Sequence, residues 1–212
     1  MSRGSPPGHG PVRSLRPQTL SGVKASAAPA SHRLRLAARW VAAGGVVAYP
    51  TEAVYGIGCD PWNGAAVRRI LEIKQRPESK GLILIAADFG QLEALVAPLA
   101  PPRMAEIRAS WPGPNTWLLP ARAGVPTWLT GRHDTLAVRV TDHPLAAALC
   151  RAAGSALVST SANRSGRPPA RSALQVMLRL GPAADYLLAG DCGGRASCSR
   201  IRDGRTGAVL RA

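Results

Sequence analysis

Apolar positions along the chain switch between two periods, and the switching marks out the elements. Leu34, Ala37, Ala38 and Val41 recur at helical spacing, with Leu36 and Trp40 on a flanking edge. Ser31 is placed to cap that helix, and Gly44-Gly45 to close it. Val46 to Tyr49 reads as a strand that Pro50 ends; a small polar turn follows with Thr51, Glu52 and Tyr55, then Gly56 and Gly58. Val67, Ile70, Leu71 and Lys74 take the i, i+3, i+4 and i+7 positions of a second helix over residues 64–74. Pro77 blocks its continuation and biases Arg76 toward an extended conformation. Leu82 to Ala86 is an unbroken apolar run, as expected of a strand covered on both faces.

Further along, Asp88 is placed to cap a helix reaching Val96, and residues 103–110 form a short helix. Trp111 to Ala121 opens as a Pro/Gly turn and ends as a strand; Leu136 to Val140 is another. Pro144 to Ala153 is a helix ended by Gly154, Ala156 to Ser159 a strand, and Ser172 to Leu180 a helix. Short strands follow at residues 185–188, 200–202 and 208–211. Helices alternating with apolar strands give an α/β class with a mostly central sheet. Residues 1–31 are rich in Gly, Pro, Ser and Ala without periodicity, so a disordered basic tail is expected there, and one domain over residues 32–212.

Composition and charge narrow the function classes. An apolar fraction of 46% is enough for a sizeable core. No apolar run approaches the ~20 residues of a membrane span, and no secretory signal is apparent, which points to the cytoplasm. The net charge of +15 is uneven: seven cations precede the first acidic residue, Glu52. That excess favours polyanions such as RNA, nucleotides or phosphorylated substrates. Cys59, Cys150, Cys192 and Cys198 form no C-x-x-C pair, and the histidines complete no zinc spacing, so reduced structural thiols are expected.

Candidate chemistry lies in two places. No P-loop or dinucleotide fingerprint follows the first strand. Lys74 and Arg76 offer another hold on phosphates: two apart on an extended segment they would project to one side, with Lys80 close by. The second place is Ser159, Thr160, Ser161, Asn163, Ser165 and Gly166 at a strand carboxyl end, where α/β sheets collect ligands. Arg139 is a cation in an apolar strand and should be paired or ligand-facing. His143, before Pro144 at a helix start, suits a cap neighbour better than a base; Asp191 and Asp203 could pair with arginines or help hold Mg²⁺.

In this order, AYPTEAVYGIGCDP, KQRPESKGLILIA, WPGPNTW, LAVRVTDHP and LVSTSANRSG resemble the YrdC/TsaC family of threonylcarbamoyl-AMP synthases, over about residues 34–212. The resemblance implies a twisted open mixed α/β sheet with a large basic cavity. It implies a synthase that joins L-threonine, bicarbonate and ATP, releasing pyrophosphate, for the t6A37 modification of tRNAs reading ANN codons. Proteins of the t6A transfer complex would then be partners. By matching motifs, Thr51 and Tyr55 would line the threonine side, while Lys74 and Arg76 would hold the ATP phosphates. Ser159, Ser161 and Asn163 would bind nucleotide, Arg139 would lie near the adenylate, and Ser199 matches a late serine. Mg²⁺ would bridge phosphates, held mostly by ATP and water. Asn115 departs from the apolar residue usual in that motif, which would alter cavity polarity. Charge alone leaves a competing reading, a non-catalytic RNA-binding or ribosome-maturation factor gripping tRNA or double-stranded RNA; it leaves Thr51, Tyr55 and the S-x-S-A-N loop unexplained.

Overall fold

The computed structural model describes Met1 and residues 28–211. The disorder expected of residues 1–31 lies outside the described residues for 2–27. Helix α1 spans Ala28–Ala42, so Ser31 sits inside it rather than at its cap. The strand β1 (Val47–Pro50) turns back at once into β2 (Tyr55–Gly58). The sequence places Tyr55 in a polar turn followed by Gly56 and Gly58, and predicts no strand over residues 55–58. Their glycines hide a strand for a tertiary reason: a Cβ on Gly58 would meet the Val158 carbonyl oxygen at 2.1 Å.

Helix α2 (Gly64–Lys74) starts where Asn63 Oδ1 accepts the Ala66 amide at 3.0 Å. It ends at Gln75, a non-glycine residue in the left-handed region with φ 51°. Strand β3 (Ile83–Ala86) follows; the helix expected after Asp88 is only a 3-10 turn over residues 89–92, though Asp88 does cap it. Then come α3 (Pro101–Ala109), β4 (Asn115–Pro120), the single-turn α4 (Thr127–Thr130), where the sequence predicts only loop, and β5 (Thr135–Val140). Helix α5 (Pro144–Ala153) is capped by the His143 ring, whose Nδ1 accepts the Ala146 amide. The chain closes with β6 (Leu157–Val158), β7 (Thr160–Ser161), α6 (Ala173–Leu180), β8 (Tyr186–Leu187), β9 (Arg200–Asp203) and β10 (Val209–Arg211).

These strands form two mixed sheets rather than one central sheet, ordered β7-β2-β1-β8 and β10-β9-β4-β5-β3-β6. The chain crosses between them at Ser159, which separates β6 of the larger sheet from β7 of the smaller. Period-two alternation divides the interior. In β1, Ala48 faces the main core while Val47 and Tyr49 face a second core under α1 and α5; in β3, Leu84 and Ile85 divide in the same way. Each fully buried aliphatic chain contributes roughly 1.5–3 kcal/mol by leaving water. The turn after β1, the end of α2 and the β6–β7 crossing therefore rest on buried strands, and those three features carry the polar residues of interest.

Candidate active site

All nine residues to which the family resemblance gives a role line one cavity of about 650 Å³. Thr51 comes from the β1–β2 connection and Tyr55 from the start of β2, Lys74 from the end of α2 and Arg76 from just beyond it, and Arg139 from β5. Ser159, Ser161 and Asn163 come from the β6–β7 crossing, and Ser199 from the segment before β9. Six cations line the cavity (Lys74, Arg76, Lys80, Arg139, Arg195 and Arg211) against one carboxylate, Glu52. That imbalance suits an anionic occupant.

The two central cations are not the parallel pair expected of an extended segment. Gln75 turns the chain between them, so they diverge. Lys74 is buried, and its Nζ donates to Ser161 O at 2.6 Å and Asn163 O at 3.0 Å, with Asn163 Oδ1 at 3.2 Å and Ser161 Oγ at 3.4 Å. Ser161 Oγ donates to Asn163 Oδ1 at 2.6 Å, so this lysine knits the crossing into one shape. Burial, with repulsion from Arg76 second, pulls its ammonium down to about 8. Arg76 instead reaches the Gly81 carbonyl at 3.0 Å, and its buried Nε has no hydrogen-bond partner among the described residues. Burial and then Arg211 hold the Arg76 guanidinium below its ordinary value.

Tyr55 hydrogen-bonds through its hydroxyl to the Gly190 carbonyl and accepts the Gly190 amide at 3.0 Å, so its polar end is engaged by the chain. Thr51 Oγ1 donates to Val54 O at 2.7 Å. Ser199 Oγ lies 2.8 Å from Thr116 Oγ1. Arg139 is paired, as its setting demanded. Its Nη2 lies 3.1 Å from Glu52 Oε2, with side chains only 9% and 5% exposed. Thr141 Oγ1 donates to the other Glu52 oxygen at 2.6 Å.

Glu52, Arg195 and Arg211 had been given no role from the sequence. Glu52 signalled only that it precedes an aromatic in a turn. Arg195 sits in a Gly/Cys-rich stretch; its amide donates to Glu52 O at 3.0 Å and its guanidinium to Asp142 at 2.7 Å. Arg211 reaches the site through the register of β10 on β9, and its Nη2 donates to Ser199 O at 2.9 Å. Among the described residues, Lys74, Arg76, Lys80 and Arg211 form no ion pair.

One expectation needs correction, that for Asn115, and other readings are narrowed. Asn115 is not part of the cavity lining; its side chain turns toward Ser110 O at 3.5 Å. Asp203 caps a turn, accepting the Arg205 and Thr206 amides at 2.7 and 2.9 Å, and neither it nor Asp191 lines the cavity. His143 serves as a cap rather than a base: its Nδ1 accepts the Ala146 amide, and its Nε2 lies 3.0 Å from the Asp191 carbonyl. The four cysteines are free, and burial pushes the Cys59 and Cys150 thiols up to about 12, so neither is a thiolate near neutrality. Among the described residues no group of three or more His, Cys, Asp or Glu is placed to hold a metal ion.

Comparison with known proteins settles the family. Residues 39–212 match the Sua5/YciO/YrdC family model, whose description reads telomere recombination. The chain belongs to the Sua5/YciO/YrdC family. It is 62% identical over 179 residues to a threonylcarbamoyl-AMP synthase of Nitrosococcus oceani, covering 84% of this chain and 97% of that one. Among solved structures it resembles P. abyssi Sua5 complexed with L-threonine, at a TM-score of 0.76 and 35% identity. That match covers 80% of this chain but only 50% of the Sua5 chain. E. coli YciO matches at a TM-score of 0.74 and 27% identity, over 84% of this chain and 87% of that one. The mixed α/β fold with twisted sheets is that of these family members. No helix among the described residues is long and apolar enough to cross a membrane.

Proposed function

We propose that this protein is a threonylcarbamoyl-AMP synthase, an enzyme of the transferase class. The observation that carries the reading is the cavity itself, where one carboxylate faces six cations and the serine-rich crossing. In this reading bicarbonate carboxylates the threonine nitrogen, with loss of water. A carbamate oxygen then attacks the α-phosphorus of ATP, the bond to the β-phosphate breaks, and pyrophosphate leaves. The adenylyl group moves, so the activity is that of a nucleotidyltransferase. Two anions must approach, so the fixed cations lower the barrier by cancelling repulsion and by positioning.

Thr51 and Tyr55 are assigned to the threonine side. Arg76, Lys80 and Arg211, which lack carboxylate partners, face the phosphates, and Lys74 orients the crossing whose Ser159, Ser161 and Asn163 meet the nucleotide. Arg139 and Ser199 complete the adenylate side. Mg²⁺ enters with ATP in this scheme, held mostly by the nucleotide and water, since the cavity carboxylate Glu52 is already engaged by Arg139 and Thr141. The product would supply t6A37 in cytoplasmic tRNA through a transfer complex, with tRNA or double-stranded RNA as a further contact.

The test is pyrophosphate release from ATP with threonine and bicarbonate present, each omitted in turn. A signal indifferent to both omissions would refute the reading. The non-catalytic RNA-binding alternative is disfavoured by the synthase relatives and by the threonine-bound Sua5 structure.

A further inference from the structure

Helix α6 has apolar residues on two sides. Val176 and Leu180 belong to the main core. Leu174, Met177 and Leu178, at i, i+3 and i+4, are 60%, 54% and 77% exposed and form one outward stripe. Around it the charge is one-sided. From His143 to Ala184 the sequence contains no Asp or Glu. Arg164, Arg167, Arg171 and Arg179 all fall in that stretch, all exposed, and none forms an ion pair among the described residues. Arg179 bends back to the Pro168 and Pro169 carbonyls at 2.8 Å, which holds its charge beside the helix start.

An aliphatic stripe with Arg171 at its approach and Arg179 on the helix itself, in a stretch of chain without Asp or Glu, fits a protein surface that is apolar at its centre and acidic at its edge. Single-stranded nucleic acid is gripped through ring stacking, and the stripe offers no aromatic side chain. A two-turn helix also buries little in a lipid interface.

The position of α6 says which protein. Residue Ala170, just before it, accepts the amide of Tyr55, and Arg171 Nη2 donates to Ala196 O at 3.0 Å. Both connections lead into the cavity wall, where Tyr55 and Ser197 sit. A partner seated on α6 therefore stands beside the place where product forms. On the function proposed above, that product is a mixed anhydride of a carbamic and a phosphoric acid, which water cleaves, so proximity of its consumer shortens its exposure. We propose that the outward face of α6 docks an acidic-rimmed apolar surface of the enzyme that takes up the adenylate.

The experiment measures binding of the full chain to the purified threonylcarbamoyl transferase from the same genome, by interferometry at about 50 and about 300 mM salt. The wild-type chain is expected to bind, more weakly at the higher salt. Leu174→Gln/Met177→Gln/Leu178→Gln should lose at least about tenfold in affinity, a difference of ~1.4 kcal/mol, with transferase-independent pyrophosphate release unchanged. Arg164→Glu/Arg167→Glu alters exposed charge alone and should weaken binding at low salt. No binding by the wild-type chain, or equal binding by both variants, would overturn the proposal. So would loss, in the triple variant, of self-association, of RNA binding or of adsorption to phosphatidylglycerol vesicles in place of transferase binding. Absent pyrophosphate release in the wild-type chain would instead strike the synthase reading, and the binding result would stand apart from it.

Discussion

Replacing Glu52 by Gln removes one charge from a pair almost wholly withdrawn from water. The Arg139 and Glu52 side chains are 9% and 5% exposed and their charged atoms lie 3.1 Å apart. Gln keeps the shape and can still accept from Thr141, so the lost quantity is the compensation of a buried guanidinium. Arg139 Nε already has no hydrogen-bond partner, which leaves little else to hold that charge. Removing one member of a buried pair costs about 3–5 kcal/mol, against roughly 0–1 kcal/mol for an exposed pair. With a urea slope of about 2 kcal/mol per molar, the unfolding midpoint should fall by about 1.5–2.5 M.

The assay is urea unfolding of wild-type, Glu52→Gln, Arg139→Met and the double variant, followed by tryptophan fluorescence. Each single change leaves one charge buried and uncompensated, whereas the double change leaves none. The double variant should therefore lose less than the sum of the singles, by at least about 1.5 kcal/mol. A midpoint shift below about 0.5 M for Glu52→Gln, or strict additivity, would refute the claim that this pair is buried and coupled.

Lys74, pulled down to about 8, should titrate near that value by NMR of its side chain, and added ATP should raise the midpoint; a midpoint above 10 would refute the burial argument. The sign for stability follows from proton binding: the unfolded chain keeps this proton to higher pH, so Lys74 makes the fold more stable as pH rises from about 8 toward 10. Arg211→Gln removes a charged donor worth about 1.5–3 kcal/mol to a phosphate, so calorimetry should show ATP binding weakened about ten- to hundredfold with threonine binding little changed. Gly58→Ala sets a Cβ 2.1 Å from the Val158 oxygen and should cost over ~3 kcal/mol in urea unfolding. Gly124→Ala meets nothing within 4 Å at φ +84° and should cost only about 1–2 kcal/mol.

Local signals were legible in the sequence, and long-range ones were not. Helix α2 runs where apolar spacing and Pro77 place it, and α5 where Pro144 and Gly154 do, because those signals act within a few residues. Strand β2 did not show, because Gly56 and Gly58 are selected by what approaches them across the sheet. The requirement that Arg139 be paired could be read from a charge in an apolar strand. Its partner could not, since Glu52 is 87 residues away in the chain. The direction of Lys74 was misjudged for a comparable reason: nothing in K-Q-R announces a left-handed glutamine between the two cations.

That glutamine redistributes the labour within the cavity. An ammonium has three protons, and Lys74 already has four oxygen atoms within 3.4 Å. A phosphate can gain Lys74 as a direct ligand only by displacing some of them, so the net gain from that contact is small. What the lysine does without exchange is fix Ser161 and Asn163 before any ligand arrives, at the energetic cost its lowered proton affinity records. Arg76, Lys80 and Arg211 are in the opposite position: they line the same cavity without a carboxylate among them, and Arg76 is held below its ordinary proton affinity by burial and by Arg211. An entering polyphosphate relieves that repulsion and replaces no existing ion pair. On the function proposed above, the attraction for the nucleotide would come chiefly from these three, and the geometry from Lys74.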